Sequence, residues 1–560
     1  MKNSLLVLFA LFITSNIFSQ VGITAGPYLQ SPTQTGIKIK WRTTAPTTAK
    51  VMYGTSPSTL TQTATEATVT DKHTVTITGL TPYTQYYYAI YNDNTFAEGG
   101  DMEHAFRTFP VSTDPGHVRA WAIGDFGKGN SKEAAVRDSY PFDSLEANVW
   151  LWLGDNVYDN GTEAQYLAKV FDSVWGYRNL MRHLPYMPAP GNHDYESVSP
   201  IAGTIDPASP SHTGPYYDFV DVYTNGEAGG VASNRELYYS YDYRNVHFVS
   251  LNSELGSMTN SSHNWTGAWI PLLGSNNFTS SPMSQWLHQD LAANTKPWVV
   301  VYFHQPPYSD GSHNSGDIYE AYMRGMRANF NPIFEQYGVD IVLCGHSHAF
   351  ERSYLVKGAY GEDNTINTGT MIIQNRSGND VQGQAYTKTL VGPDPNKGTV
   401  YVVCGNSGSS ESSPGFSHPF MYSEYGCDTC IGSFVLDVEG GRLDGRHIDA
   451  YGNIRDHFTI HKTLVSGVEP AWDNIVVDLK VVPNPFSSIT TVSFELMKSE
   501  KTNIRLMDVT GKLIEVFEGN LQQGKQQIEI DAQKLKLAKG AYTLVMSAGG
   551  ESTSRTIILQ

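Results

Sequence analysis

The sequence predicts a multidomain chain: an N-terminal β-sandwich, a central layered α/β core and a C-terminal β-sandwich. Three observations carry this reading. Apolar and polar residues alternate through residues 20–112, as in GIKIKWRT and HTVTITGL, which is the period of a strand with one buried face. Between residues 117 and 465, near-continuous apolar strands are separated by helical segments, so the sheets there are covered on both faces. Over residues 470–560 alternation returns with Asn, Gly and Pro turns, as in VVDLKVVPNPFSSITTVSFEL.

Residues 1–19 read as a signal peptide: one early lysine, an apolar run from Leu5 to Ile13, and small or polar residues before Gln20. That run is too short to span a bilayer. At 560 residues and 40% hydrophobic content the chain can build several cores. A formal charge of −17, with no basic cluster interleaved with aromatics, argues against a nucleic-acid-binding surface. In the N-terminal part, Trp41 and the tyrosines of GLTPYTQYYYAI are expected in the core.

The central strands read VRAWAIGD, NVWLWLGD, NVHFVSLN, PWVVVYFH and VDIVLCGH. Tyr319, Met323, Met326, Phe330 and Phe334 recur at helix-face spacing and are expected as packing surface, and MSQWLHQDLAAN is a shorter helix. Residues 195–235 and 255–282, rich in Gly, Ser, Asn, Pro and Thr, are expected as long loops that shape access, with His212 and His263 simply exposed. Four cysteines allow three pairings. Cys427 and Cys430, in C-x-x-C spacing, are expected as a local disulfide, and Cys344 and Cys404 as core residues.

Polar residues cluster where the central strands end. Asp125 closes AWAIGD, Asp155 closes VWLWLGD, Asn192 and His193 sit in APGNHD, His304 closes VVVYFH, and His346 and His348 follow DIVLCG. In open α/β sheets the loops beyond the carboxyl ends converge on one crevice. A lone Asp after a strand is commonly a turn residue, but five recurrences describe one site. Carboxylate, amide, imidazole and phenol donors without a thiolate suit iron, zinc or manganese. Two such ions could orient a phosphate and ionise a water.

GDFG, GDNVYD, GNHD, YFHQPPY and GHSHAFERS, in this order, resemble the five blocks of the calcineurin-like metallophosphoesterases. The tyrosine of GDNVYD and the preceding module, which resembles fibronectin type III, are similar to the purple acid phosphatases in particular. Carried over by position, the resemblance implies Asp125, Tyr158 and His348 on a ferric ion, Asp155 as the bridge, and Asn192, His304 and His346 on a second iron, zinc or manganese. It implies phosphate contact or proton donation for His193 and His313; the plant enzymes carry paired histidines where this chain has Ser312, His313 and Asn314. Asp159 and Asp194 are expected to orient ligands, and Arg352 is expected in a structural ion pair in preference to a phosphate contact.

The stretches VPNPF, DVTGK and LAKGAYTLVM resemble the C-terminal sorting domain of type IX secretion substrates, which implies that secretion machinery as partner and a secreted or cell-surface-attached product. The expected function is a dinuclear-metal phosphatase that cleaves phosphate monoesters with a metal-activated hydroxide at acidic pH. A phosphodiesterase or nucleotidase on the same site is the alternative within the chemistry. A non-catalytic adhesin is the alternative outside it, and the filling of all seven ligand positions argues against that.

Overall fold

The computed structural model describes residues 21–142, 145–195, 213–256, 281–317, 319–390, 395–412, 415–422, 426–463, 476–496, 498–507, 513–548 and 551–560. The expected signal peptide, His212 and His263 lie outside them. One compact unit comprises the chain through Phe109 with Tyr177–Pro185, and a second comprises Pro110–Gly176 and Tyr186–Gln560.

The first unit is antiparallel throughout. Strands Ile23–Gln30, Gly36–Gly54, Gln62–Thr78, Gln85–Asn92, Thr95–Gly99 and Ala105–Arg107 form one hydrogen-bonded sheet around a core that includes Leu29, Ile39, Trp41, Val51 and Tyr88. Register shifts between Arg42 and Ala49 interrupt the long second strand. Trp41 is fully buried and donates its indole N–H to Asn92 Oδ1 at 2.9 Å, which satisfies the one polar group of a large buried ring.

In the second unit two mixed sheets carry the central core. One runs Tyr386–Thr389, Ile454–Thr463, Arg442–Asp449, Gly432–Glu439, Val118–Ile123, Val149–Leu153, Tyr186–Ala189. The other runs Tyr239–Tyr243, Val246–Ser250, Trp298–Tyr302, Ile341–Cys344, Val400–Cys404, Phe350–Arg352. Val118–Ile123, Val149–Leu153 and Tyr186–Ala189 are parallel neighbours, as are Val246–Ser250, Trp298–Tyr302, Ile341–Cys344 and Val400–Cys404. The flanking strands are antiparallel meanders such as Gly432–Glu439 with Arg442–Asp449. Apart from the edge pair Tyr386–Thr389 with Ile454–Thr463, parallel pairing among these strands joins those that carry the apolar runs, and these are almost wholly buried.

The helical expectations need one correction. Met323, Met326, Phe330 and Phe334 are fully buried, on helices Ala321–Asn329 and Asn331–Tyr337 and, for Phe330, at the junction between them; the second helix has Pro332 in its first turn. Tyr319 is 85% exposed, because the helix begins only at Ala321 and Tyr319 precedes its apolar face. The helix Pro282–Ala293 starts on Ser281, whose hydroxyl accepts from Ser284 N at 3.0 Å. The segment expected as one loop over 195–235 instead buries Tyr216, Tyr217, Phe219, Val222 and Tyr223, so its described part is core. Cys427 and Cys430 are disulfide-bonded, and Cys344 and Cys404 are buried free thiols.

His247 on the Val246–Ser250 strand is buried between two carboxylates, with Nδ1 2.8 Å from Asp242 Oδ1 and Nε2 2.8 Å from Asp290 Oδ2. Lys296 stands 3.7 Å from Asp242, and Asp290 also accepts from Ser240 Oγ and Val231 N. Burial opposes the charged ring, but the two carboxylates outweigh it and push the His247 pKa up to about 9. A pKa raised on folding gives stability that is whole below the ordinary value and lost as pH rises through the folded one. Stability on the order of 3 kcal/mol is expected to disappear between about pH 6.5 and pH 10. Denaturant titrations at both pH values check this; the His247→Gln protein should lose that pH slope.

Residues 476–559 form a β-sandwich. A three-stranded sheet, Val476–Val482, Ile489–Leu496 and Gly524–Asp531, faces a four-stranded one, Leu513–Leu521, Glu500–Met507, Gly540–Ala548 and Glu551–Leu559. Val492, Phe494 and Ile530 of the first share a core with Ile504, Leu506, Leu544 and Met546 of the second. Among the described residues, no helix is long and apolar enough to cross a membrane.

Candidate metal centre

The candidate site is assembled at the carboxyl ends of five parallel strands, three from one sheet and two from the other. Each strand is apolar and buried, so the first polar residue beyond it is where the chain can leave the core. Asp125, Asp155 and His346 all turn with positive φ, at 57°, 49° and 68°. A left-handed non-glycine residue costs about 1 kcal/mol or more, and this conformation recurs at three of the seven expected ligands. Adjacent glycines make room for the turns: at Gly154, with φ 91°, a side chain would strike the His304 ring, and at Gly345 it would strike Asp125 Oδ2.

The Tyr158 hydroxyl is the meeting point. It lies 2.9 Å from Asp125 Oδ1, 3.1 Å from Asp155 Oδ2 and 3.0 Å from His348 Nε2. His348 Nε2 is in turn 3.4 Å from Asp125 Oδ1. Asp155 Oδ2 also stands 3.3 Å from His304 Nε2, while its Oδ1 accepts from His193 N at 2.8 Å. The Asp155 carboxylate therefore joins the Tyr158 side of the cluster to the His304 side. His304 is oriented by Nδ1, 3.0 Å from the Leu153 carbonyl, which turns Nε2 toward the cluster. The His346 ring packs 5.0 Å from that of His304, and its backbone N–H donates to Asp125 Oδ2 at 2.8 Å.

The electrostatics are those of an anionic pocket with buried bases. Burial raises the Asp155 pKa, but the adjacent His304 overrides this and holds the carboxyl below its ordinary range. Burial lowers His304, yet Asp155 and Asp125 push it up to about 10. Burial, and then the Asp125 and Asp155 charges, hold the Tyr158 phenol well above its ordinary pKa.

Whether these residues fit metal ions can be tested on the donors. Ligands at right angles on an ion bonded at about 2.1 Å stand about 3 Å apart, which is the spacing of the Tyr158, Asp125, Asp155 and His348 atoms. Donor atoms of Asp125, Asp155 and His304 all fall within 4.8 Å of one another. Asn192 Oδ1 is buried and makes no hydrogen bond, a cost a native site bears where another partner is intended. The donor set fits.

Around these atoms, Asp194 accepts from Gly191 N, Asn156 Nδ2 and the Tyr166 hydroxyl, at 2.8, 2.9 and 2.6 Å, and so holds the turn that presents Asn192. Burial and the Asp155 charge raise Asp194 to about 7. Asp159 engages the site through its backbone: its carbonyl lies 2.5 Å from His193 Nδ1. The His193 ring packs 4.5 Å from Tyr158, and that of His313 packs 4.0 Å from His346. Arg352 is buried, paired with Asp456 and bonded to the Ser377 carbonyl. Asp125, Asp155, Tyr158, His304, His346, His348, His193 and His313 thus form one connected set of contacts, and Asn192 adjoins it through its chain neighbour His193.

Sequence reasoning missed four neighbours. Glu411 accepts from His348 Nδ1 at 2.8 Å, Glu320 bonds His313 and His346, Lys128 Nζ sits 3.1 Å over the Tyr158 ring, and buried Glu254 faces Gln305. Burial pushes Glu254 up to about 7 against the lowering effect of His304. Glu254 follows the apolar strand Val246–Ser250, so the same strand-end signal could have found it.

Residues 118–350 match the calcineurin-like phosphoesterase family, residues 26–108 the purple acid phosphatase N-terminal domain, and residues 480–560 the secretion system C-terminal sorting domain. An uncharacterized protein of Mycobacterium tuberculosis is 27% identical over 463 residues, which cover 78% of this chain and 76% of that protein. Purple acid phosphatase 1 of Ipomoea batatas is 28% identical over 421 residues, 71% of this chain and 72% of its own. The purple acid phosphatase PPD1 of yellow lupin superposes with a TM-score of 0.52 at 16% identity, over 78% of this chain and 74% of that one, and so shares the fold. The chain is therefore a metal-dependent phosphoesterase whose central region matches the calcineurin-like phosphoesterases, preceded by a region like the purple acid phosphatase N-terminal domain and followed by a secretion-system sorting domain.

Proposed function

We propose that the protein is an exported phosphatase that hydrolyses phosphate monoesters on a dinuclear centre, with an acidic pH optimum. Asp125, Tyr158 and His348 would hold one cation, ferric iron; Asn192, His304 and His346 would hold the second, iron, zinc or manganese; and Asp155 would serve both. The observation that carries this reading is the convergence of the Asp125, Asp155 and His348 donors on the Tyr158 hydroxyl, with His304 Nε2 3.3 Å from the same Asp155 oxygen.

A bound cation pair supplies Lewis acidity toward phosphate oxygens and acidifies water. The protein's own part is positioning. His193, whose Nδ1 lies on the Asp159 carbonyl, would contact the phosphate, and His313 would protonate the departing oxygen. Among the pocket residues no serine or cysteine needs to act as nucleophile, so no phosphoenzyme is required. The sorting domain supports export, and type IX machinery is the partner proposed for it.

The test is hydrolysis of p-nitrophenyl phosphate and bis-p-nitrophenyl phosphate by the purified full chain, scanned over pH with iron, zinc or manganese. Metal-dependent monoester turnover with a maximum below neutrality is expected. A strongly alkaline maximum would overturn the ferric assignment, and a preference for the diester would overturn the monoesterase reading.

A further inference from the structure

The loop that carries His313 is fastened to the turn that carries His346 and His348. His348 N donates to Ser312 Oγ at 2.9 Å, His313 N to Ser347 Oγ at 3.4 Å, and Asp310 N to Glu351 Oε1 at 2.9 Å. The backbone at His313 is thus fixed, and what remains free is the rotation of its ring. The ring is about one-third exposed, open to a substrate, and lies against His346.

Glu320 removes that freedom. Its Oε1 is 2.6 Å from His313 Nδ1 and its Oε2 is 3.5 Å from His346 Nε2. The residue stands at the N-cap of helix Ala321–Asn329 and makes no capping hydrogen bond. At that position Ser, Thr, Asp or Asn is preferred because its side chain reaches the first free N–H groups. Glu320 gives up the cap, and its carboxylate faces the two histidines while Tyr319 before it stays in solvent.

We propose that Glu320 is a positioning residue for the phosphatase reaction: its carboxylate accepts a hydrogen bond from His313 Nδ1–H, fixes the ring, and leaves Nε2 as the one nitrogen directed to the departing ester oxygen. This deepens the phosphatase reading and rests on it. As the phosphorus–oxygen bond breaks, its electron pair goes to the ester oxygen. That oxygen takes the proton from His313 Nε2, whose ring retains its Nδ1 proton on Glu320 and is recharged from solvent. Carboxylate–imidazole pairs act in this way wherever one ring nitrogen must be selected.

An acid matters most for a poor leaving group, and this separates positioning from general support. In Glu320→Ala, kcat for an alkyl phosphate such as glycerol phosphate is expected to fall about 10- to 100-fold, while kcat for p-nitrophenyl phosphate falls less than about 3-fold. Bound metal should be unchanged, Glu320→Gln, which keeps an acceptor oxygen, should recover most of the loss, and adding Glu320→Ala to His313→Ala should cost nothing more. A crystal structure of Glu320→Ala should show the His313 ring turned from its wild-type position. Equal loss on both esters, loss of bound metal, or a metal ion held by His313, Glu320 and His346 would overturn the proposal. If the wild-type chain hydrolyses neither ester, the phosphatase reading fails, and an unmoved His313 ring in the variant crystal would separately refute the positioning role.

Discussion

Asp155→Asn is expected to abolish stable metal binding and to lower kcat/KM for a phosphate ester by on the order of 10³-fold or more. One oxygen of its carboxylate meets side chains from both sides of the cluster: Oδ2 lies 3.1 Å from the Tyr158 hydroxyl and 3.3 Å from His304 Nε2, while Oδ1 holds the His193 backbone. An amide in its place removes the negative charge shared between the two donor groups and turns one oxygen into an N–H donor. Loss of several kcal/mol of transition-state charge stabilisation corresponds to that rate change. Asp159→Asn is the control, because Asp159 meets the site through its carbonyl, which an amide side chain leaves in place. Metal content and kcat/KM of Asp159→Asn should stay within a few-fold of wild type. If Asp155→Asn keeps its metal and its turnover, the carboxylate is not part of the centre.

The comparison of these two aspartates shows what was legible in the sequence. Asp155 could be found because it follows a strand, VWLWL, whose side chains are all buried, and a polar residue at such an end marks the rim of a sheet. The same grammar exposed Asp125, Asn192, His304 and His346. The same signal marked His348, but Tyr158 needed the resemblance of whole blocks, since nothing in local periodicity says that a phenol three residues past Asp155 reaches an imidazole 190 positions away. Glu320 and Glu411 were invisible for the same reason: the contact of Glu411 with His348 spans 63 residues and belongs to loop packing. Tyr319 misled because its helical spacing continues one turn before the helix begins. The antiparallel meanders flanking the parallel strands were not separable from them by apolar content, since a strand such as Gly432–Glu439 is nearly as buried as its parallel neighbours.

Arg352, the last residue but one of GHSHAFERS, is where sequence reading left two roles open, and its removal is expected to give the largest change in stability. It is 1% exposed and bonds Asp456, also buried, through Nε and Nη2 at 2.5 and 3.0 Å. Nη1 donates to the Tyr386 hydroxyl at 3.0 Å and Nη2 to the Ser377 carbonyl at 2.9 Å. The guanidinium also lies 4.9 Å over the Phe458 ring. These partners ally strand Phe350–Arg352 with Ile454–Thr463 of the other central sheet. Arg352→Met leaves the Asp456 carboxylate buried and unpaired, which costs about 3–5 kcal/mol, read as a lower denaturant midpoint for the catalytic core. Arg352→Lys keeps the charge but cannot reproduce a two-pronged bond, so it should lie between. A phosphate contact would behave in the opposite way, with a raised KM at unchanged stability. The decisive arm is the pair Arg352→Met with Asp456→Leu: removal of both members takes away the stranded charge as well as the bridge, and much of the lost stability should return. A double variant no more stable than Arg352→Met alone would mean that the arginine's bonds to Tyr386 and Ser377, and not its ion pair, hold the two sheets in register.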